Sequence, residues 1–117
     1  KATITVYGIP NCDSVKKARV WLTEHGIDYV FHDFKKQGVP AEAVDLWLKS
    51  VNWDILVNRK GTTWRKLDPM EQSRVTDNDS ARAVMLTHPS VIKRPVVVQG
   101  QTVIVGVNPE AWTSVVS

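Results

Sequence analysis

The first 34 residues change their apolar rhythm twice, from the alternation of a strand to the three-to-four spacing of a helix and back again. Ala2-Thr3-Ile4-Thr5-Val6-Tyr7 is rich in β-branched residues, Gly8-Ile9-Pro10-Asn11 reads as a turn, and a helical pattern runs from Asp13 to His25. In that helix Val15, Ala18, Trp21 and Leu22 share one face, Lys16, Lys17, Arg19 and Glu24 the other, and Gly26 supplies the stop. Ile27 to Phe34 is a strand pattern again. Strand, helix, strand is a βαβ unit, so the two strands are expected to be parallel, joined by a right-handed crossover. That opening places the chain in the α/β class.

The middle is helical. Gly38-Val39-Pro40 opens a second helix, with proline at the first helical position and Val44, Trp47, Leu48 and Val51 as the buried stripe. Asn52 to Leu67 follows no clean period and contains a donor-rich loop from Asn58 to Arg65. Asp68-Pro69-Met70-Glu71 has capping-box spacing, which predicts a short helix there, and another helix is predicted from Asp79 to Thr87, stopping before Pro89. The last third is the clearest β signal: Pro95 to Gln99 and Thr102 to Val105 flank Gly100-Gln101 as a hairpin. Asn108-Pro109-Glu110 then caps a closing helix through Val116. The order β-α-β, helical insertion over about 40–88, β-β-α is that of a thioredoxin-like fold with a mixed four-stranded sheet, expected as a single domain over residues 1–117.

Composition narrows the function classes. A chain of 117 residues fits one domain, and 43% apolar with 23% charged residues is ordinary for a globular protein. The net charge of +3 is small and its basic residues are dispersed, which predicts a solvated surface and no nucleic-acid partner. No run approaches a membrane span, and no charged-then-apolar leader is recognisable, so no membrane partner is expected. A single cysteine excludes an internal disulfide framework and a zinc site built on paired cysteines. His25, His32 and His88 lack metal-ligand spacing, and the segment Asn58 to Thr63 lacks phosphate-loop spacing. No bound cofactor or metal is expected; the cytoplasm, where a free thiol survives, is the expected compartment, and a monomer the expected state. Five tryptophans are more than usual, and Trp21 and Trp47 fall on apolar stripes as core residues.

The one cysteine, Cys12, stands at the start of the first helix, where unpaired N–H groups and the positive end of the dipole favour thiolate over thiol. Lys16 and Lys17, one turn on, are expected to add positive charge. Arg59 lies in the donor-rich loop and Arg94 immediately precedes Pro95, and guanidinium groups give planar, bidentate recognition of carboxylates and oxyanions. Cys12 is therefore the candidate nucleophile, with Asn11, Arg59, Arg94 and Pro95 as candidate substrate-binding residues.

Three segments carry a resemblance: Tyr7 to Ala18, Leu56 to Thr63, and Pro89 to Pro95. In these, and over essentially its whole length, the chain resembles the arsenate reductase/Spx (ArsC-type) family, most closely its YffB-like branch. The resemblance implies a thioredoxin-like domain with a helical insertion, a nucleophile at Cys12, anion-binding arginines at Arg59 and Arg94, and a cis bond before Pro95. Two departures bear on activity. Where the family's arsenate reductases have a third active-site arginine, this chain reads Gly106-Val107-Asn108-Pro109. Where Spx regulators have a Cys-x-x-Cys switch, it reads Cys12-Asp13-Ser14-Val15.

Without a second thiol, an adduct on Cys12 must be resolved by an outside thiol. Glutathione, with two carboxylates suited to Arg59 and Arg94, is the expected co-substrate, though another low-molecular-weight thiol would serve the same chemistry. The expected function is a glutathione-dependent thiol reductase. The alternatives are an arsenate reductase and a non-enzymatic, Spx-like adaptor that binds RNA polymerase.

Overall fold

The computed structural model describes residues 3–115. In chain order the elements are β1 (Ile4–Gly8), α1 (Asp13–Glu24), β2 (Val30–Asp33), α2 (Phe34–Gln37), α3 (Ala41–Ser50), α4 (Trp53–Leu56), α5 (Thr62–Lys66), α6 (Pro69–Ser73), α7 (Asn78–Thr87), β3 (Val96–Gln99), β4 (Thr102–Val105) and α8 (Pro109–Trp112), with 3-10 turns at Pro89–Val91 and Thr113–Val115. They fall into two compact units, Lys1–Gly38 with Arg94–Ser117, and Val39–Lys93.

The first unit is built on a four-stranded sheet in the order β2-β1-β3-β4. β1 and β2 are parallel, with Val6 opposite Phe31. β3 runs antiparallel to β1, with Val6 opposite Val97, and β4 antiparallel to β3 through the turn at Gly100, whose φ is +59°. This mixed sheet in β-α-β plus β-β-α order is the thioredoxin-like fold that the element order predicts. Along β1 the alternation puts Ile4, Val6 and Gly8 inside. Ile4, Val6 and Val97 form one core cluster with Ala18 and Leu22 of α1, Ile104 of β4 and Trp112 of α8. Trp21 is half-buried against the cluster, its ring 5.5 Å from that of Trp112. Gly8 abuts α1 so closely that a Cβ there would stand 2.5 Å from Val15 Cγ2, and Val15 is fully buried.

β2 is shorter than its sequence pattern. Asp33 Oδ1 accepts from the Lys35 N–H at 2.9 Å, which caps α2, so Phe34 begins a helix instead of ending a strand. The closing helix is also short, passing into a 3-10 turn at Thr113; Val116, its expected end, lies outside the described residues.

The second unit is helical. In α3 Val44 and Trp47 are fully buried while Leu48 and Val51 are half-buried, and Pro40 is the N-cap and not the first helical residue. Arg82 of α7 pairs with Asp45 of α3 at 2.7 Å. The stretch expected as aperiodic is not all loop: α4 and α5 each form about one turn, too short to show a period in sequence. α6 starts where the capping-box spacing predicts, yet the Asp68 side chain makes no cap hydrogen bond. The true capping box is at α7, between Asp77 and Ser80. A bridge pairs Val57 with Ile92, and the Asn58 N–H donates to Val91 O at 2.8 Å, which fixes the segment leading to Arg59.

Candidate active site around Cys12

Cys12 is the N-cap of α1. Its backbone is extended, with φ −99° and ψ 126°, and its carbonyl accepts the first helical hydrogen bond, from Lys16 N at 2.9 Å. The turn before it is closed by Cys12 N donating to Ile9 O at 3.4 Å. The Gly8–Val15 contact sets how near the sheet this helix end can come. The side chain is half-buried and is a free thiol.

Burial raises the Cys12 pKa, but hydrogen bonding to the sulfur outweighs it. The Val15 N–H, the Arg94 side chain and the Ser14 N–H all donate toward the thiolate, and the Arg94 charge adds to them, so the pKa lies below the ordinary thiol value. The sulfur does not close a conventional capping bond, as a short oxygen side chain would; it is the anion that the helix end favours. Lys16 and Lys17 are exposed and are not among the groups that shift it, contrary to expectation. The cation that matters comes from the far end of the chain, and its contact with the sulfur was not legible in the sequence.

Arg94 is half-buried at the entrance to β3, and the Arg94–Pro95 peptide bond is cis, in agreement with the expectation for this position. Pro95 is buried, and its carbonyl accepts from Gly106 N at 2.8 Å. Asn11 is exposed on the turn before Cys12. Arg59 belongs to the helical unit, where it is exposed and its guanidinium carbon stands 5.6 Å from the Trp53 ring centre. Cys12 and Arg94 are thus in contact, Pro95 follows Arg94 in the chain, and Arg59 is carried by the other unit.

Beyond β4, Gly106 has φ +83°, Val107 is exposed, and Asn108 Oδ1 accepts from Ala111 N at 3.2 Å as the cap of α8. The segment that lacks the third arginine is therefore engaged in starting the closing helix. Each histidine is also occupied: His25 with Trp21 O, His32 with Gly38 O, and His88 with Glu71. Among the described residues no group of His, Cys, Asp and Glu is arranged to hold a metal ion, and no helix is long and apolar enough to cross a membrane.

One family pattern, that of the ArsC family, matches residues 7–115, which include the helix start at Cys12 and the strand entered through the cis Arg94–Pro95 bond. The chain belongs to the ArsC family. It is similar to a YffB protein of solved structure, at 42% identity and a TM-score of 0.92 over 98% of this chain and 100% of the other. An arsenate reductase (ArsC) related protein from Brucella melitensis is 50% identical, with a TM-score of 0.74 over 96% of this chain and 92% of the other. The global transcriptional regulator Spx of Bacillus subtilis is 26% identical over 109 residues, covering 92% of this chain and 82% of that protein. These likenesses place this ArsC-family chain with the arsenate reductase-like and Spx proteins, in the YffB-like branch.

Proposed function

We propose that this protein is a glutathione-dependent thiol reductase that works through Cys12 alone. The observation that carries the reading is the thiol at the N-cap of α1, held toward its anion by the N–H groups of Val15 and Ser14 and by Arg94. Arsenate reductase-like relatives support thiol-based redox chemistry in general, and the absence of a second cysteine supports an external resolving thiol.

The Cys12 thiolate attacks the glutathionyl sulfur of a mixed disulfide. The old S–S bond breaks, its electron pair leaves on the substrate sulfur, and that sulfur takes a proton from solvent. Cys12 is now joined to glutathione. A second glutathione, as thiolate, attacks that glutathionyl sulfur, giving glutathione disulfide and the free Cys12 thiolate. Overall one free glutathione thiol is consumed, the mixed disulfide becomes the substrate thiol, and the two glutathione units leave as one disulfide. Arg94 favours the leaving Cys12 thiolate in the second step as it favours the attacking one in the first. Pro95 would present the backbone before it to an extended thiol ligand. For Arg59 a ligand-binding role rests on the family resemblance.

Incubation with oxidised glutathione and mass spectrometry test this directly. One glutathionyl group on Cys12, removed by reduced glutathione, is the expected result. No adduct would overturn the reading. Arsenate turnover is expected to be feeble, because losing one charge-assisted hydrogen bond costs about 1.5–3 kcal/mol of anion affinity. The Spx likeness keeps an adaptor as the rival. Disulfide turnover with glutathione separates the two, and recovery of RNA polymerase on the immobilised protein without turnover would favour the adaptor.

A further inference from the structure

The strip of α1 that begins at Cys12 leads to a group of residues with no role so far. Cys12, Lys16 and Arg19 lie within about 40° of one line along the helix, and Arg19 is roughly 10 Å from Cys12 on its axis. Two neighbours hold the Arg19 guanidinium: Nε donates to the Tyr29 hydroxyl at 3.0 Å, and Cζ stands 4.2 Å from the Phe31 ring centre. Its terminal nitrogens are therefore fixed in direction, and among the described residues no carboxylate forms an ion pair with them.

Arg19 borders a cleft of about 400 Å³, lined also by Pro10, Phe31, Asp33, Lys36 and Gln37. Pro10 follows β1, and Asp33 and Lys36 end or follow β2, so the cleft opens at the carboxyl ends of the two parallel strands, where Cys12 also stands. Asp33 is the one acid in the lining, and its Oδ1 is taken by the cap of α2, so the two cations Arg19 and Lys36 exceed it. Arg94 is already committed to the sulfur. A carboxylate on the same ligand needs another guanidinium, and a locked, stacked arginine meets it with the least loss of side-chain freedom.

We propose that this cleft binds a carboxylate of the thiol whose sulfur is joined to Cys12, making Arg19 the residue that selects an acidic, peptide-like thiol. The proposal rests on the reductase reading above. An extended peptide covers about 3.3–3.6 Å per residue, so a ligand of tripeptide size spans the interval from sulfur to guanidinium. Pro10 and Phe31 give its backbone an apolar floor.

Two measurements test it. In the Cys12→Ser protein, S-methylglutathione cannot react, and its binding is followed by NMR. Shifts at Arg19 Nε–H, Phe31 and Gln37 are expected, with affinity falling roughly 10- to 100-fold on adding Arg19→Gln. No shift at these residues, or an unchanged affinity, overturns the proposal. Next, Arg19→Gln with Cys12 intact is reacted with oxidised glutathione and with uncharged hydroxyethyl disulfide. The rate is expected to fall with the first alone; an equal fall with both would make Arg19 a support for α1 and overturn the proposal. Lys36→Gln, on an exposed side chain, repeats this comparison without risk to the fold, and the same selective fall is expected. If S-methylglutathione binds at Arg19 while unaltered protein forms no mixed disulfide, the reductase reading fails and the carboxylate site stands.

Discussion

Helices α1 and α7 both start from an extended N-cap residue and use it for opposite ends. At α7 the Asp77 carboxylate accepts from Ser80 N at 2.9 Å, and Ser80 Oγ accepts from Asp77 N at 3.1 Å, so the donors are satisfied within four residues. At α1 the cap is a thiol, and the N–H groups of Val15 and Ser14 are turned on a sulfur that is proposed to react. The same field lowers both acids: Asp77 is held below the usual carboxylate range by the Ser80 N–H, the Ser80 hydroxyl and the Asp79 N–H. One anion stabilises the fold and is chemically inert. The other is the proposed nucleophile, a thiol standing where an oxygen side chain could have capped the helix. A helix start becomes reactive when its donors are left for a group with a leaving-group chemistry of its own.

Replacing the thiol by the better cap breaks the contrast most sharply. Cys12→Ser should abolish thiol transfer, with no adduct by mass spectrometry, while circular dichroism and the melting temperature stay at or above those of the parent, because serine is a favoured N-cap. Arg94→Gln should keep the nucleophile but raise its pKa. The sign follows from the lowered native value: thiolate stabilisation is fully present above the unfolded thiol pKa and is lost as pH falls through the native one. The midpoint of iodoacetamide reactivity against pH should move up, slowing alkylation near neutrality by about tenfold. A midpoint unchanged by Arg94→Gln would remove Arg94 from the account.

At the other helix, Asp77→Ala should lower the melting temperature and leave the Cys12 midpoint unmoved. That stabilisation is present above the ordinary carboxylate value near 3.8 and fades as pH falls through the lower native value, so parent and variant should converge in acid. The smallest effect is expected from Lys16→Ala with Lys17→Ala. Both side chains are exposed, and the reactivity midpoint should shift less than with Arg94→Gln. A larger shift would mean that surface charge, and not Arg94, controls the thiol.

The sheet was legible where β-branched runs are long and bounded by turns, as at Val96–Gln99 and Thr102–Val105. It was misjudged at Phe34, whose apolar side chain suits a strand but whose backbone obeys the Asp33 cap. Helices of one turn, such as Trp53–Leu56, carry no period to read. The spacing of Asp68 and Glu71 predicted the helix correctly but not its hydrogen bonds, while Asp77 with Ser80 made the box without a glutamate. The place of Cys12 and its lowered pKa were legible because both depend on a local feature, a helix start. Arg94 as its partner was not, since that contact joins residues some eighty positions apart through the pairing of β3 with β1. Lys16 and Lys17 are nearer in sequence, but both are exposed and neither shifts the thiol.

Gly8 fixes a tolerance that neither the thiol nor Arg94 could set for itself. Val15, whose methyl group fills the space where a Cβ would stand, is a stiff, fully buried side chain three residues past Cys12. Any larger residue at position 8 would act as a wedge at the hinge end of a lever, lifting the start of α1 by a fraction of an ångström. The core can absorb such a shift at Leu22, two turns away, more readily than the contact between the sulfur and Arg94 can. The glycine thus works as a gauge block, setting the height of the sulfur above the sheet, and its replacement is expected to slow alkylation of Cys12 in a protein that still folds.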